Sequence, residues 1–128
     1  MTTSLKSLRV QSAHLQSFHC YYCGLPMWER DQVGFAKQYK LSLRQAMLMQ
    51  CTAEHLISRS EGGANSRSNI VAACLYCNFK RHKRKKASTP SVYRQHVRHR
   101  MQRGKWLASL LPCPFLMKST VLTGTGHT

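Results

Sequence analysis

The sequence predicts a small α+β domain in which two short strands and the helix after them are tied to an N-terminal segment through a metal. Three observations carry this expectation. Two Cys-x-x-Cys pairs, Cys20/Cys23 and Cys74/Cys77, are separated by fifty residues. Two short apolar stretches, 49–53 and 69–73, read as strands. Helical patterns flank both, with capping residues at their starts.

In chain order, residues 1–17 are polar, basic and weakly patterned, and read as a flexible arm. The first knuckle, Cys20-Tyr21-Tyr22-Cys23-Gly24, follows. Its glycine suits the tight turn that brings backbone amides to thiolates, and its aromatics shield a metal. Residues 31–50 read as helical, with Val33, Phe35 and Tyr39 before a break at Lys40-Leu41. Ser42 then caps a second helix carrying Leu43, Ala46 and Met47. Two helices and a turn invite a helix-turn-helix reading; the plainer one is that they bridge the knuckle to the first strand and cover its back. A helix is expected to begin at Asn78 and run into the basic residues 80–86. Ser88-Thr89-Pro90 marks a restart, with Thr89 as cap and Pro90 at the first helical position. That helix places Tyr93, Val97 and Met101 on one face and ends at Gly104. Beyond Trp106 the chain is apolar, with Pro112 and Pro114 breaking it, and then Thr/Gly-rich; the last eight or so residues are expected to be disordered. The predicted organisation is an arm (1–17), a zinc-knuckle domain (18–87), a basic helix (88–105) and a tail (106–128).

Only four acids, Glu29, Asp31, Glu54 and Glu61, oppose twenty Lys and Arg, for a formal charge of +16. Eleven of the basic residues fall between Lys80 and Lys105. Such a field selects a polyanion, and nucleic acid is the expected partner. No long amphipathic helix supports a membrane-surface reading, and no run of eighteen apolar residues occurs. The N-terminus lacks the apolar stretch of a signal peptide, so a cytoplasmic location is expected. There, six cysteines favour metal over disulfides.

Cys20, Cys23, Cys74 and Cys77 together supply the four thiolates of a tetrahedral zinc site. A redox motif would expect a βαβ surround, which is missing. Four protein ligands close the site, so its role is to hold the fold together. Cys51 and Cys113 lie outside any pair and read as ordinary thiols.

Glu54 and His55 are adjacent, so on a strand their side chains point to opposite faces: one holds a cation while the other faces a water. Asn78 and His82, four apart on the expected helix, share a face and can join Glu54 around one ion. Carboxylate and amide oxygens suit Mg²⁺, and the histidine widens the choice to Mn²⁺ and other divalent transition metals. With so few acids, a single metal has to suffice.

The stretch 51–82, CTAEHLISRSEGGANSRSNIVAACLYCNFKRH, resembles the ββα-metal (His-Me finger) core of the HNH nucleases, in the subgroup with four zinc-binding cysteines. The resemblance spans about residues 20–86, with a longer insertion before Glu54 than the minimal core has. It implies that His55 is the general base, that Asn69 orients His55 and fixes its tautomer, and that Asn78 takes the third motif position. His82 matches the outer ligand of a His-x-x-x-His pattern. The implied activity is metal-dependent endonuclease cleavage of DNA, with RNA left open by charge alone. Lys80, Arg81, Lys83, Arg84, Lys85 and Lys86 are expected to contact the phosphate backbone. The competing reading is a zinc-stabilised nucleic-acid-binding module without catalysis.

Overall fold

A computed structural model describes residues 4–111. Cys113, His127 and the rest of the tail from residue 112 lie outside the described residues. Helix α1 (Leu5–Leu15) is followed by the first knuckle, α2 (Gln32–Tyr39) and α3 (Leu43–Met47). Strands β1 (Cys51–His55) and β2 (Ile70–Cys74) flank a loop with one 3₁₀ turn, and α4 (Leu75–Arg81) and α5 (Pro90–Gln102) close the order.

The expected flexible arm is largely helix. Ser4 caps α1 by accepting from the Ser7 amide, and Leu8 and Ala13 are buried. Ser12 Oγ donates to the Ile70 carbonyl at 2.9 Å. Just after the helix, the Gln16 side-chain amide pairs with both backbone groups of Ala72, at 2.7 and 2.9 Å. Gln16 thus imitates a neighbouring strand and satisfies the open edge of β2. These contacts are long-range, which a polar, weakly patterned segment does not announce.

The other helices follow their caps. Asp31 accepts from Gly34 N to start α2, which ends where Lys40 turns left-handed at φ +57°. Ser42 and Gln45 form a reciprocal capping box on α3. Thr89 accepts from Val92 N, and Pro90 opens α5. Tyr93, Val97 and Met101 are all buried.

β1 and β2 pair antiparallel, with Cys51 opposite Cys74 and His55 opposite Ile70. Both strands lie further along the chain than expected; residues 48 and 49 turn, and Gln50 bridges to Trp28 before β1 begins. Helix α4 also departs from expectation. It starts at Leu75, where Cys74 Sγ accepts from Cys77 N, and stops at Arg81. The basic residues 83–86 are therefore outside any helix and exposed. The core gathers Tyr22, Leu25, Ala46, Met49, Ala72, Val97, Leu107 and Leu111 around the four knuckle cysteines. Among the described residues, no helix is long and apolar enough to cross a membrane.

Candidate active site and metal centre

The Sγ atoms of Cys20, Cys23, Cys74 and Cys77 lie within 4.8 Å of one another, and all four residues are buried. Tetrahedral thiolates at ~2.3 Å from zinc would stand roughly 3.8 Å apart, so the four sulfurs need only a small contraction to close on the ion. The backbone is already arranged for negative sulfur. Amides of Tyr22 and Cys74 approach Cys20 Sγ at 3.4 and 3.3 Å, and Trp106 Nε1 donates to Cys77 Sγ at 3.3 Å. Burial works against a charged Cys20, yet hydrogen bonds from Cys23, Cys74 and Cys77 outweigh it and hold that thiol well below its usual range. Burial drives Cys74 and Cys77 the other way, well above theirs. Without a cation the cluster therefore favours few thiolates at once; a divalent metal removes that conflict. This is a four-cysteine site of the zinc type, joining the first knuckle to the end of β2 and the start of α4.

Glu54 projects from β1 into the interior and is 1 % exposed. Its Oε2 accepts from the Tyr22 hydroxyl at 2.7 Å and from Arg81 Nη1 at 2.7 Å. Its Oε1 lies 2.8 Å from His82 Nε2. Tyr22 belongs to the first knuckle, so one side chain connects the metal centre to the carboxylate. Burial and the Glu54 charge push the Tyr22 phenol far above its usual range, which keeps it a donor.

His55, the next residue, stands at the end of β1 at the rim of the intervening loop. Its Nε2 meets Asn65 Oδ1 at 2.8 Å. An amide oxygen only accepts, so Nε2 carries the proton and Nδ1 is the basic nitrogen. The loop owes its shape to Asn69. Its Oδ1 accepts from Ile57 N, and its Nδ2 donates to the carbonyls of Ile57 and Ala64, at 2.8, 3.0 and 3.0 Å. Gly63 packs so tightly there that a Cβ would sit 1.7 Å from the Ile57 carbonyl oxygen. The side chain hydrogen-bonded to the His55 ring is thus Asn65, with Asn69 bracing the loop that carries it.

Of the residues expected around a cation, Glu54 and His82 meet, while the Asn78 side-chain amide is bonded to β1. Asn78 Nδ2 donates to Thr52 Oγ1 at 3.0 Å and to the Ala53 carbonyl at 3.1 Å, fastening α4 to β1. Glu54 Oε1 and His82 Nε2 are hydrogen-bonded to each other at 2.8 Å, which sets one carboxylate oxygen and one imidazole nitrogen side by side.

A model of the HNH endonuclease family matches residues 20–84, just over half of the chain. The chain belongs to the HNH endonuclease family. No curated protein and no solved structure matches it. The matched HNH segment starts at the first zinc-type cysteine and ends in the basic run, so it takes in both knuckles, Glu54, His55 and α4.

Within this HNH domain one basic residue has a different place from the one expected. Arg81 was expected among the phosphate-contacting residues, but its side chain is 2 % exposed. Besides Glu54, its guanidinium donates to the carbonyls of His55, Leu56 and Ser88 at 2.9–3.1 Å. A fork spent on four interior acceptors is unavailable to DNA. Lys83, Arg84, Lys85 and Lys86 are exposed, and Lys80 is half-buried with its ammonium 5.7 Å from the centre of the Tyr76 ring. Sequence reasoning missed Arg81, Tyr22 and Asn65 as parts of the site. Only the position of Tyr22 inside the knuckle hinted at a role, and that hint pointed to the metal.

Proposed function

We propose that this HNH domain is a metal-dependent endonuclease that hydrolyses DNA phosphodiester bonds in the cytoplasm, with His55 as general base. The observation that carries the reading is the Nε2–Asn65 bond, which leaves Nδ1 of His55 basic, on the residue next to the buried Glu54–His82 pair. His55 Nδ1 takes a proton from water as the water oxygen bonds to phosphorus; the bond from phosphorus to the 3′-oxygen breaks, and that oxygen is protonated from solvent. Glu54 and His82 would hold Mg²⁺ or Mn²⁺, which would supply neutralisation of the charge on the phosphate and the leaving oxygen, and Asn78 steadies β1 beside them. Tyr22 and Arg81 hold the second carboxylate oxygen. Lys80, Lys83, Arg84, Lys85 and Lys86 position the phosphate backbone.

The binding-module reading draws on one observation: both Glu54 oxygens already have protein partners. Supercoiled plasmid incubated with wild type and with His55→Ala, with and without Mn²⁺, separates the two. The nuclease reading expects cation-dependent nicking by wild type, reduced by about 10²–10⁴-fold in the variant. A folded, zinc-loaded wild type that binds the plasmid and leaves it supercoiled favours the module.

A further inference from the structure

We propose that the groove between α4 and α5 binds unpaired nucleotides, so that the substrate of this domain carries a single-stranded segment beside the cut; the proposal rests on the nuclease reading. The groove has two unlike banks. Lys80, Lys83 and Arg84 form one; Val92 and His96 line the other, and Trp106 sits between them in contact with both α4 and α5. It offers about 370 Å³, within the ~300–1,000 Å³ of sites that take a small molecule, and no acidic residue lines it.

A surface that tracks duplex needs only the basic bank, because paired bases bury their faces in the stack. The second bank presents what an unpaired base uses. The His96 and Trp106 rings stand perpendicular with centroids 6.0 Å apart, forming a corner, and Val92 is 56 % exposed at its edge. Trp106 is held there. Its Nε1 donates to Cys77 Sγ at 3.3 Å, its ring meets Tyr76 edge-on at 5.1 Å, and its backbone is left-handed at φ +64°. Such a conformation is unfavourable for a bulky residue, so the rest of the structure holds the indole in place. Base–aromatic stacking is sequence-tolerant because every base has a π-face.

The groove also abuts the site described above. Arg81 forms part of its wall and donates from Nη1 to Glu54 Oε2. A strand lying in the groove is thereby one side chain away from the carboxylate.

The test measures binding of the full His55→Ala chain, without added divalent cation and at about 150 mM salt, to labelled DNA duplexes. One duplex is blunt; the others carry a tail of about four unpaired nucleotides at either end. A tail should tighten binding about tenfold. His96→Ala and Val92→Gln, both at exposed positions, should remove that gain and leave the blunt duplex within about twofold. A tail that adds nothing, or groove variants that weaken blunt and tailed duplexes alike, overturns the proposal while leaving the nuclease reading intact. Failure to bind any of the DNAs removes the nucleic-acid reading and this one with it.

Discussion

The Tyr22 hydroxyl donates at 2.7 Å to Oε2 of Glu54, and the two side chains are 0 % and 1 % exposed. Tyr22 stands between two zinc-type ligands, so the metal centre and the carboxylate beside the candidate base are joined without any flexible segment. Tyr22→Phe removes the hydroxyl and keeps the ring that packs edge-on against Tyr93. Zinc content should be unchanged. Stability should fall by about 1–3 kcal/mol, because a buried carboxylate loses one donor. The Mn²⁺ concentration for half-maximal cleavage should also change, since Glu54 can then turn. Denaturant titration, metal analysis and a cation titration check the three parts; an unchanged cation dependence limits Tyr22 to packing.

Arg81 and the exposed lysines beyond it should behave in opposite ways. Arg81→Ala leaves Glu54 buried without its cation and three carbonyls without their donor, so a loss of about 3–5 kcal/mol is expected. Arg81→Lys restores charge without the fork and should recover only part of it. Lys85→Ala and Lys86→Ala should each change stability by less than about 0.5 kcal/mol and, where they contact phosphate, lower the salt slope of DNA binding by roughly 0.9. Equal stability losses at Arg81 and Lys85 would contradict the burial that separates them.

The thiols make a third prediction. The holoprotein should carry one zinc, and Cys74→Ser should lose both the metal and cooperative unfolding, because so small a core depends on its staple. Cys51, 4 % exposed and outside the cluster, has its thiol pushed up to about 11, chiefly by burial. A raised value means that the folded state favours the neutral thiol. Its contribution to stability is complete below the unfolded value of about 8.5 and is lost as pH rises through about 11. Alkylation near pH 8, read by mass spectrometry, should spare Cys51 in the folded holoprotein and reach all the buried thiols once a strong chelator unfolds it.

What was legible beforehand is the chemistry written in residue type and spacing. Four cysteines in two pairs, Glu54 beside His55, Ser42 and Thr89 as caps, and the buried stripe of Tyr93, Val97 and Met101 are all local patterns, and the fold bears out the zinc-type cluster, the caps and the stripe. Long-range partners were not legible. Arg81 lies in a run of seven residues with six positive charges, and nothing in the run distinguishes the one guanidinium that folds inward. Helix α1 was hidden because much of its docking is polar, through Ser12 and, just beyond it, Gln16. Asn65 and Asn69 sit four apart in the same loop, and only the tertiary turn decides which one reaches His55.

That last choice is open to a direct experiment. Asn65 is exposed and accepts from His55 Nε2 at 2.8 Å, so changes there should act on the base and spare the fold. Asn65→Ala frees the ring to take either tautomer and should lower cleavage by about tenfold, less than the ~10²–10⁴-fold expected of His55→Ala. Asn65→Asp keeps an acceptor at the same atom and adds a negative charge. That charge favours the imidazolium, which cannot accept a proton, so the acidic limb of the pH–rate profile should move to higher pH than in wild type. Asn69→Ala should instead lower stability by about 1–3 kcal/mol through the three loop bonds it breaks, with the position of that limb unchanged in the protein that remains folded. A limb that moves with Asn69 and stays put with Asn65→Asp would return the orienting role to Asn69.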